Sequence, residues 1–493
     1  MCCTALGALS ATPAARADDR LPATVTAALA VAGMPPEAVR AIAIPLEGWW
    51  TRPWRVRAGV PSAPGSTMKL VTSIVALDRL GPNHRGFTEL RSAAAVNGGV
   101  LEGDLVLVGG ADPDLSVAAF WALLQDLRAT GVHTIGGDVL VDRTRFRPAR
   151  LDLGLPPFDD APEFPYNVIP DALNLAGSLL AFDLVATPEG ASAVAVPPLP
   201  GIAFISRMTT SKSRCTDWDD DWLAATVERD SGDAGPLRIT LNGRFPAGCR
   251  VRADLQLVDR QELTEQLLRH LWQSLGGRWA GRSREAAAPA ATTLLVKRDS
   301  RAWGEVLRPL NKSSDNALTR LLLLEIGVKA AGTGASADTT TPTLELAARS
   351  VRAWMAENGI DATGVVVDNG SGLSRSERIA PEQLARMLAV AWRGKHAADL
   401  VMSLPVPGVD GTMRNRLRDS PAAGWARLKT GTLRDTVALA GYVRDPGGRP
   451  WAVSLMLNHA LASQRGRPVL DALIDHMARF GPHGSPPLPG ESP

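Results

Sequence analysis

Cysteine is scarce in this 493-residue chain: there are four, and Cys2 and Cys3 stand at the very start. The other two, Cys215 and Cys249, have room for one disulfide but not for a disulfide framework or a cysteine metal site. Histidine is also scarce: seven isolated residues, with no His-Glu-x-x-His. Zinc-peptidase and Ser-His-Asp chemistry therefore find no support. No sign of charge dominates, since 53 Lys and Arg face 51 Asp and Glu for a net +2. The arginines are scattered and no basic run carries interleaved aromatics, so nothing points to nucleic acid. No stretch reaches the ~18 to 20 apolar residues that span a bilayer, so no transmembrane segment is expected. Asp112 and Asp114 invite a metal reading, but Pro113 between them reads as a turn. No metal and no cofactor are expected.

What is present is length enough for a substantial core and, as a soft prior, roughly three domains. Residues 15–17, Ala-Arg-Ala, fit the small-x-small cleavage pattern of a secretory signal. Residues 1–17 read as the remnant of a signal peptide whose start lies upstream of Met1, and the protein as exported, soluble or loosely membrane-associated. The Pro/Gly-rich tail, 481–493, reads as disordered.

The chain is organised around Pro64-Gly65-Ser66-Thr67-Met68-Lys69-Leu70. Ser66 and Lys69 are three positions apart, so a helix puts hydroxyl and amine on one face. Val71, Ile74, Val75 and Leu77 behind them have the spacing of a buried helix face, and Gly81-Pro82 is a stop signal. Serine is a poor nucleophile until a base takes its proton, and a buried lysine of lowered pKa can be that base. Alone, S-x-x-K is a common chance pattern.

In order, the chain reads as a helix (24–32), strands (41–45, 55–60) and the Ser66 helix. Asn97-Gly98 then predicts a hairpin, followed by a helix (117–129) and a strand (137–141). Residues 147–172 read as irregular, and 173–258 as several short strands. Helical pattern returns at 261–274 and 303–310. Ser314-Asp315-Asn316 heads an apolar helix, 317–326; the hydroxyl can relay a proton and the amide can hold a carbonyl or the lysine. Lys312 reads as a solvated charge. Lys429-Thr430-Gly431-Thr432 lies on a strand (427–433), with two more at 436–443 and 451–457 completing an antiparallel meander. Gly431 leaves room for an extended substrate backbone. Lys429 adds positive potential, Thr430 and Thr432 can bind a carboxylate, and the N–H groups of Ser66 and Thr432 can form an oxyanion hole.

S-x-x-K, S-D-N and K-T-G in this order form the signature of penicillin-binding proteins and class A β-lactamases. Further stretches (101–105 with 110–113, 142–146, 311–316, 368–375, 404–417 and 428–433) resemble the class C low-molecular-mass penicillin-binding proteins, D-alanyl-D-alanine carboxypeptidase/endopeptidases. The resemblance runs from about 21 to 480. It implies an α/β chain of the α+β type with the transpeptidase fold shared with serine β-lactamases: an antiparallel sheet with helices on both faces, built from 18–86 and 259–480. Residues 87–258 would be an insertion of two small, nested, β-rich domains. It also implies Ser66 as the acylated nucleophile and Lys69 as its base, with Ser314, Asn316 and Lys429 completing the catalytic set. Thr430, Gly431 and Thr432 would bind substrate. Arg375 would hold the far end of a diaminopimelate side chain, with Asp160 as its acidic partner and Met413 lining the same pocket. The implied partners are peptidoglycan stem peptides and cross-links, with β-lactams as covalent inhibitors.

A β-lactamase is the nearest alternative. Glu163-Phe-Pro-Tyr-Asn167 mimics the E-x-x-x-N of class A, but it precedes Ser314 and reads as chance. A non-catalytic cell-wall binder on the same fold is the second alternative, and the intact Ser66, Lys69 and Lys429 argue against it.

Overall fold

The computed structural model describes residues 19–48, 51–229 and 235–484. The expected leader (1–17) and all but the first four residues of the expected tail lie outside them. Among the described residues, no helix is long and apolar enough to cross a membrane.

The main sheet has five strands, all antiparallel: β1 (Val39–Pro45), β2 (Trp54–Val56), β3 (Arg427–Leu433), β4 (Thr436–Arg444) and β5 (Pro450–Asn458), in the order β3-β4-β5-β1-β2. The meander expected at 427–457 is therefore present, and the first two strands close its far side. Side chains alternate faces along a strand, and in β4 both faces are buried. Ala438, Ala440 and Tyr442 go to one core; Val437, Leu439 and Val443 go to the other.

On the first face lie helices α1 (Met68–Arg79), α2 (Trp303–Ser313), α3 (Asn316–Ala331) and α4 (Pro381–Arg393). Residues 68–77 of α1 are all buried, which is why its sequence is apolar nearly all round: neighbours surround it. On the other face α5 (Arg467–Phe480) packs Leu473, Ile474 and Met477 onto the sheet, beside the helix Ala23–Ala32.

The second block has its own core. A five-stranded sheet joins Phe87–Ser92, Leu105–Gly110 and Val139–Asp142 with two strands from further along, Ser283–Glu285 and Thr293–Asp299. The helix Arg260–Ser274 also buries Leu263, Leu267 and Trp272 in this block. Strand pairing thus carries the block to Asp299, past the boundary expected at 258. Among the described residues three further sheets complete it, two built from strands between 180 and 255 and one from the short strands Val96–Asn97, Val100–Leu101, Thr134–Ile135 and Arg278–Trp279. The expected hairpin forms one residue later than Asn97-Gly98 suggests. Asn97 pairs with Val100, and the turn is Gly98-Gly99. Both turn residues have positive φ, 54° and 82°, which two glycines supply without strain.

Cys215 and Cys249 are joined in a disulfide within this block. The carboxylates of Asp112 and Asp114 are taken by Arg298 (3.0 Å) and Arg301 (2.6 Å), so this turn is an ion-paired joint.

The irregular stretch 147–172 runs from the second block across the front of the first. Just before it, Arg145 makes two 2.7 Å bonds to the buried Glu325. At its far end Arg320 holds the carbonyls of Asn167 and Val168 at 3.2 and 3.0 Å. The segment is thereby pinned against α3, beside the second motif.

Candidate active site

Three backbone segments converge on Ser66, and each does so through a glycine. Gly65, at φ +50°, opens the turn that places Ser66 just ahead of α1. A side chain at Gly431 would stand 2.6 Å from Pro64 O and 2.9 Å from Ser66 N. The close approach that this glycine permits is therefore the protein's own: β3 lies directly against the Ser66 turn. Gly372 has φ +84°, and a Cβ there would meet Gly65 O at 1.9 Å.

β3 is an edge strand. Leu428 N, on its free edge, donates to Pro405 O at 2.9 Å. The two-residue period of a strand turns the N–H groups of Thr430 and Thr432 to that same edge. Thr432 N lies beside the Ser66 turn, 3.1 Å from where a Cβ on Gly65 would be. The N–H groups of Ser66 and Thr432 thus both lie where β3 crosses the Ser66 turn.

Lys69 is fully buried. Its Nζ lies 3.1 Å from Ser66 Oγ and 2.6 Å from Asn316 Oδ1, and it also donates to Ser371 O. Burial pushes its pKa down to about 7, against the charges of Glu377 and Asp315 and with that of Arg320. An amine at that value is substantially unprotonated near neutrality, as a general base must be.

Ser314 closes α2 in the left-handed region, φ 65° and ψ 43°. That conformation is costly for a residue with a Cβ and marks a constrained site. It puts Oγ 2.8 Å from Lys429 Nζ. Asp315, rather than Ser314, caps α3 by accepting from Leu318 N at 2.8 Å. Asn316 follows with both ends of its amide in use: Oδ1 faces Lys69, and Nδ2 donates to Tyr166 O at 2.9 Å. Lys429 is also fully buried, bonded to Ser314 Oγ and Thr430 O. Burial, then the nearby Lys69, push its pKa well below the usual lysine range. Thr430 Oγ1 bonds Thr412 Oγ1 at 2.8 Å, while Thr432 is exposed on the edge. The three motifs thus meet in two sets of contacts, Ser66–Lys69–Asn316 and Ser314–Lys429, joined through the backbone of 314–316.

The outer site residues are arranged differently from the expectation. Arg375 is exposed and stacks over Phe158 at 5.2 Å, touching its carbonyl at 3.4 Å. Its neighbour is thus Phe158 and not Asp160, which is itself exposed. The adjacent Asp159 is engaged with Tyr166 (2.8 Å) and Asn167 (2.9 Å). Met413 has no exposed surface and packs with Ala422, Ala426 and Leu428 behind β3; the cleft-side residue of that turn is Thr412. Lys312 is an anchor rather than a solvated charge, holding Asp410 at 2.6 Å and Leu404 O at 2.8 Å. Glu163 faces the second block, accepting from Ala225 N, so the E-x-x-x-N resemblance has no counterpart at Ser66. An apolar cavity of about 720 Å³ lies on the far side of Asp315, lined by Leu115, Val168 and Leu318, and not over the serine.

Sequence reasoning missed the carbonyls of Ser371 and Tyr166, which hold Lys69 and Asn316, and the carboxylate of Glu377. A backbone carbonyl leaves no residue-type signal. The paired glycines around Ser371 were the available hint of a tight turn.

Residues 50–479 match the D-Ala-D-Ala carboxypeptidase 3 (S13) family. The chain is 29% identical over 440 residues to the D-alanyl-D-alanine carboxypeptidase of Actinomadura sp. (strain R39), covering 86% of this chain and 78% of that one. It is 24% identical over 408 residues to D-alanyl-D-alanine carboxypeptidase DacB of Haemophilus influenzae, covering 80% of each. The solved structure of penicillin binding protein 4 (dacB) from Haemophilus influenzae superposes with a TM-score of 0.75 at 21% identity, over 92% of this chain and 99% of that one. With the fold, the three motifs and these matches together, the chain belongs to the D-Ala-D-Ala carboxypeptidase 3 (S13) family and is a serine-type D,D-peptidase.

Proposed function

We propose that this D,D-peptidase works through an acyl-enzyme on Ser66, with Lys69 as the base. The observation that carries this reading is the surroundings of Lys69 Nζ. A neutral amine has two hydrogens and one lone pair. Asn316 Oδ1 and Ser371 O accept the two hydrogens, so the lone pair is left for the Ser66 hydroxyl 3.1 Å away.

Ser66 Oγ attacks the carbonyl of a D-Ala-D-Ala bond while Lys69 takes its proton. The N–H groups of Ser66 and Thr432 receive the developing oxyanion. Ser314, bonded to Lys429, relays the proton that Lys69 took on to the leaving D-alanine amine, and the C–N bond breaks, leaving Lys69 neutral again to take a proton from the incoming water. Thr430 and Thr432 hold the terminal carboxylate, with the buried Lys429 amine bonded behind them to Ser314 Oγ and Thr430 O. Water then cleaves the Ser66 ester, regenerating the hydroxyl and releasing the shortened peptide. The reaction class admits a D,D-cross-link in place of a terminal D-alanine.

β-Lactams would acylate the same serine. A solved structure of the Haemophilus penicillin binding protein 4 is complexed with a β-lactam, which supports the proposal by likeness. Glu163 and Asn167 are engaged elsewhere, so they place no deacylating water at Ser66 and the adduct should turn over slowly. We further propose that residues 87–299 form an insertion into a catalytic unit built from 18–86 and 300–480, and that the protein acts on peptidoglycan outside the cytoplasm.

Arg375, with its guanidinium over Phe158 at the cleft mouth, would recognise a substrate side chain ending in a carboxylate, as a diaminopimelate arm does. Release of D-alanine from matched pentapeptides tests this. Arg375→Ala should lower kcat/KM selectively, by about 10-fold or more, on peptides bearing the free diaminopimelate end, the scale of one charge-assisted contact. An equal loss on lysine-containing or capped peptides would remove Arg375 from that role.

A further inference from the structure

Glu377 is a carboxylate with no exposed surface. Four backbone N–H groups bind it. Oε1 accepts from Asp368 N (3.3 Å), Asn369 N (3.1 Å) and Gly370 N (2.6 Å), and Oε2 accepts from Gly372 N (2.8 Å). The turn 368–372 is wrapped around one acid. Gly370 and Gly372 have φ of 70° and 84°, a conformation that turns successive N–H groups inward toward an anion.

Within the turn, the N–H left out of this grip is that of Ser371, which goes with its hydroxyl to Asn369 Oδ1 at 3.0 and 2.7 Å. The Ser371 carbonyl, in the same rigid peptide unit as the gripped Gly372 N–H, accepts from Lys69 Nζ. On the Ser66 helix, Thr72 Oγ1 holds the Gly370 carbonyl at 2.9 Å. We propose that Glu377 is a positioning residue for catalysis: by gripping the 368–372 turn it fixes the Ser371 carbonyl, and through that carbonyl it aims the Lys69 lone pair at Ser66.

The inference rests on the reading of Lys69 as the base. With both hydrogens of the amine claimed by fixed acceptors, only the tetrahedral position facing Ser66 Oγ remains. If Ser371 O moves, the terminal torsion of Lys69 is free to rotate among its staggered wells, and the lone pair leaves the hydroxyl. Glu377 also acts by charge. Glu377 and Asp315 favour the Lys69 ammonium and Arg320 opposes it. Lys429 lies close enough to repel it, and Arg320 in turn faces Glu377 and Asp368. Burial raises the Glu377 pKa to about 7 against its N–H bonds.

Glu377→Gln tests the proposal. Gln removes the charge and sets an amide NH₂ against Gly372 N–H. The readout is the rate constant for acylation by benzylpenicillin, per folded chain, across pH. The plateau should fall about 10²-fold, the scale for misaligning a reacting group, and the acid limb should move to lower pH. A plateau within twofold of wild type, or an unmoved acid limb, overturns the proposal; a merely structural role would lower the folded fraction without moving the limb. Should Glu377→Gln fail to fold, Glu377→Asp keeps the charge on a shorter arm. It should lower the plateau while leaving the limb in place, and a wild-type plateau there overturns the proposal equally. A wild-type protein that is not acylated at Ser66 at all would instead refute the acyl-serine reading.

Discussion

At the scale of single residues the site is a problem in where protons rest. Two lysines are fully buried, and burial disfavours the charged form of each. For Lys69 the result is a pKa of about 7 rather than 10.5. Since the neutral amine is the active form, kcat/KM for D-alanine release should rise with pH through an apparent pKa near 7 and then level off. A pH profile would check it; a flat profile from pH 5 to 8 would contradict the role of Lys69. The same shift has a sign for stability. Between about pH 7 and 10.5 the unfolded chain carries a proton on this lysine that the native chain lacks, so this group makes stability rise with pH across that window. Below about pH 7 both states are protonated and the burial cost is fully present.

At the scale of elements, what matters is how closely backbones approach. Gly431→Ala forces a Cβ into Pro64 O and Ser66 N, so β3 must shift away from the Ser66 turn. We expect kcat/KM to fall about 10²-fold through misplaced oxyanion donors, with a stability loss of about 1–3 kcal/mol from overpacking. Gly59→Ala, with nothing within 4 Å of the new methyl, should do neither. Steady-state kinetics and thermal melts of the two variants decide the matter; equal activity would place the closeness of β3 outside the mechanism.

The elements also show what could be read from sequence. The i, i+3 spacing of Ser66 and Lys69 and the 427–457 meander were legible because local periodicity dictates them. Asp315 as the cap, and the left-handed Ser314 beside it, were half legible, since the tripeptide marks a helix start but not which residue bends. The partners of Arg375 and the burial of Met413 were not legible. The first depends on an irregular segment with no period, and the second on which way a one-turn helix at 411–413 faces. The carbonyls of Ser371 and Tyr166 belong to the same class, because only the folded chain brings them to the site.

At the scale of the molecule, the second block reaches the catalytic unit through a few joints and keeps its own core. The disulfide Cys215–Cys249 lies wholly within it, across a separation of 34 residues. Loop closure of that length contributes about 3–4 kcal/mol in the chain-entropy model. Replacing both cysteines by serine should therefore lower the melting temperature of that block, while acylation by benzylpenicillin stays within about twofold of wild type. A large loss of acylation would mean that the block shapes the catalytic cleft more directly than its joints suggest. The Asn316–Tyr166 bond is where such coupling would be felt.

The mechanism requires that Ser66 become acylated with the help of Lys69. Intact-protein mass spectrometry after incubation with benzylpenicillin, followed over time with Ser66→Ala as control, tests this most directly. We predict one long-lived penicilloyl adduct per chain, absent from a Ser66→Ala protein that melts like wild type. An adduct that forms and disappears with rapid drug hydrolysis would make the protein a β-lactamase in practice. No adduct on folded wild-type chain, or an equal adduct on Ser66→Ala, would contradict the mechanism.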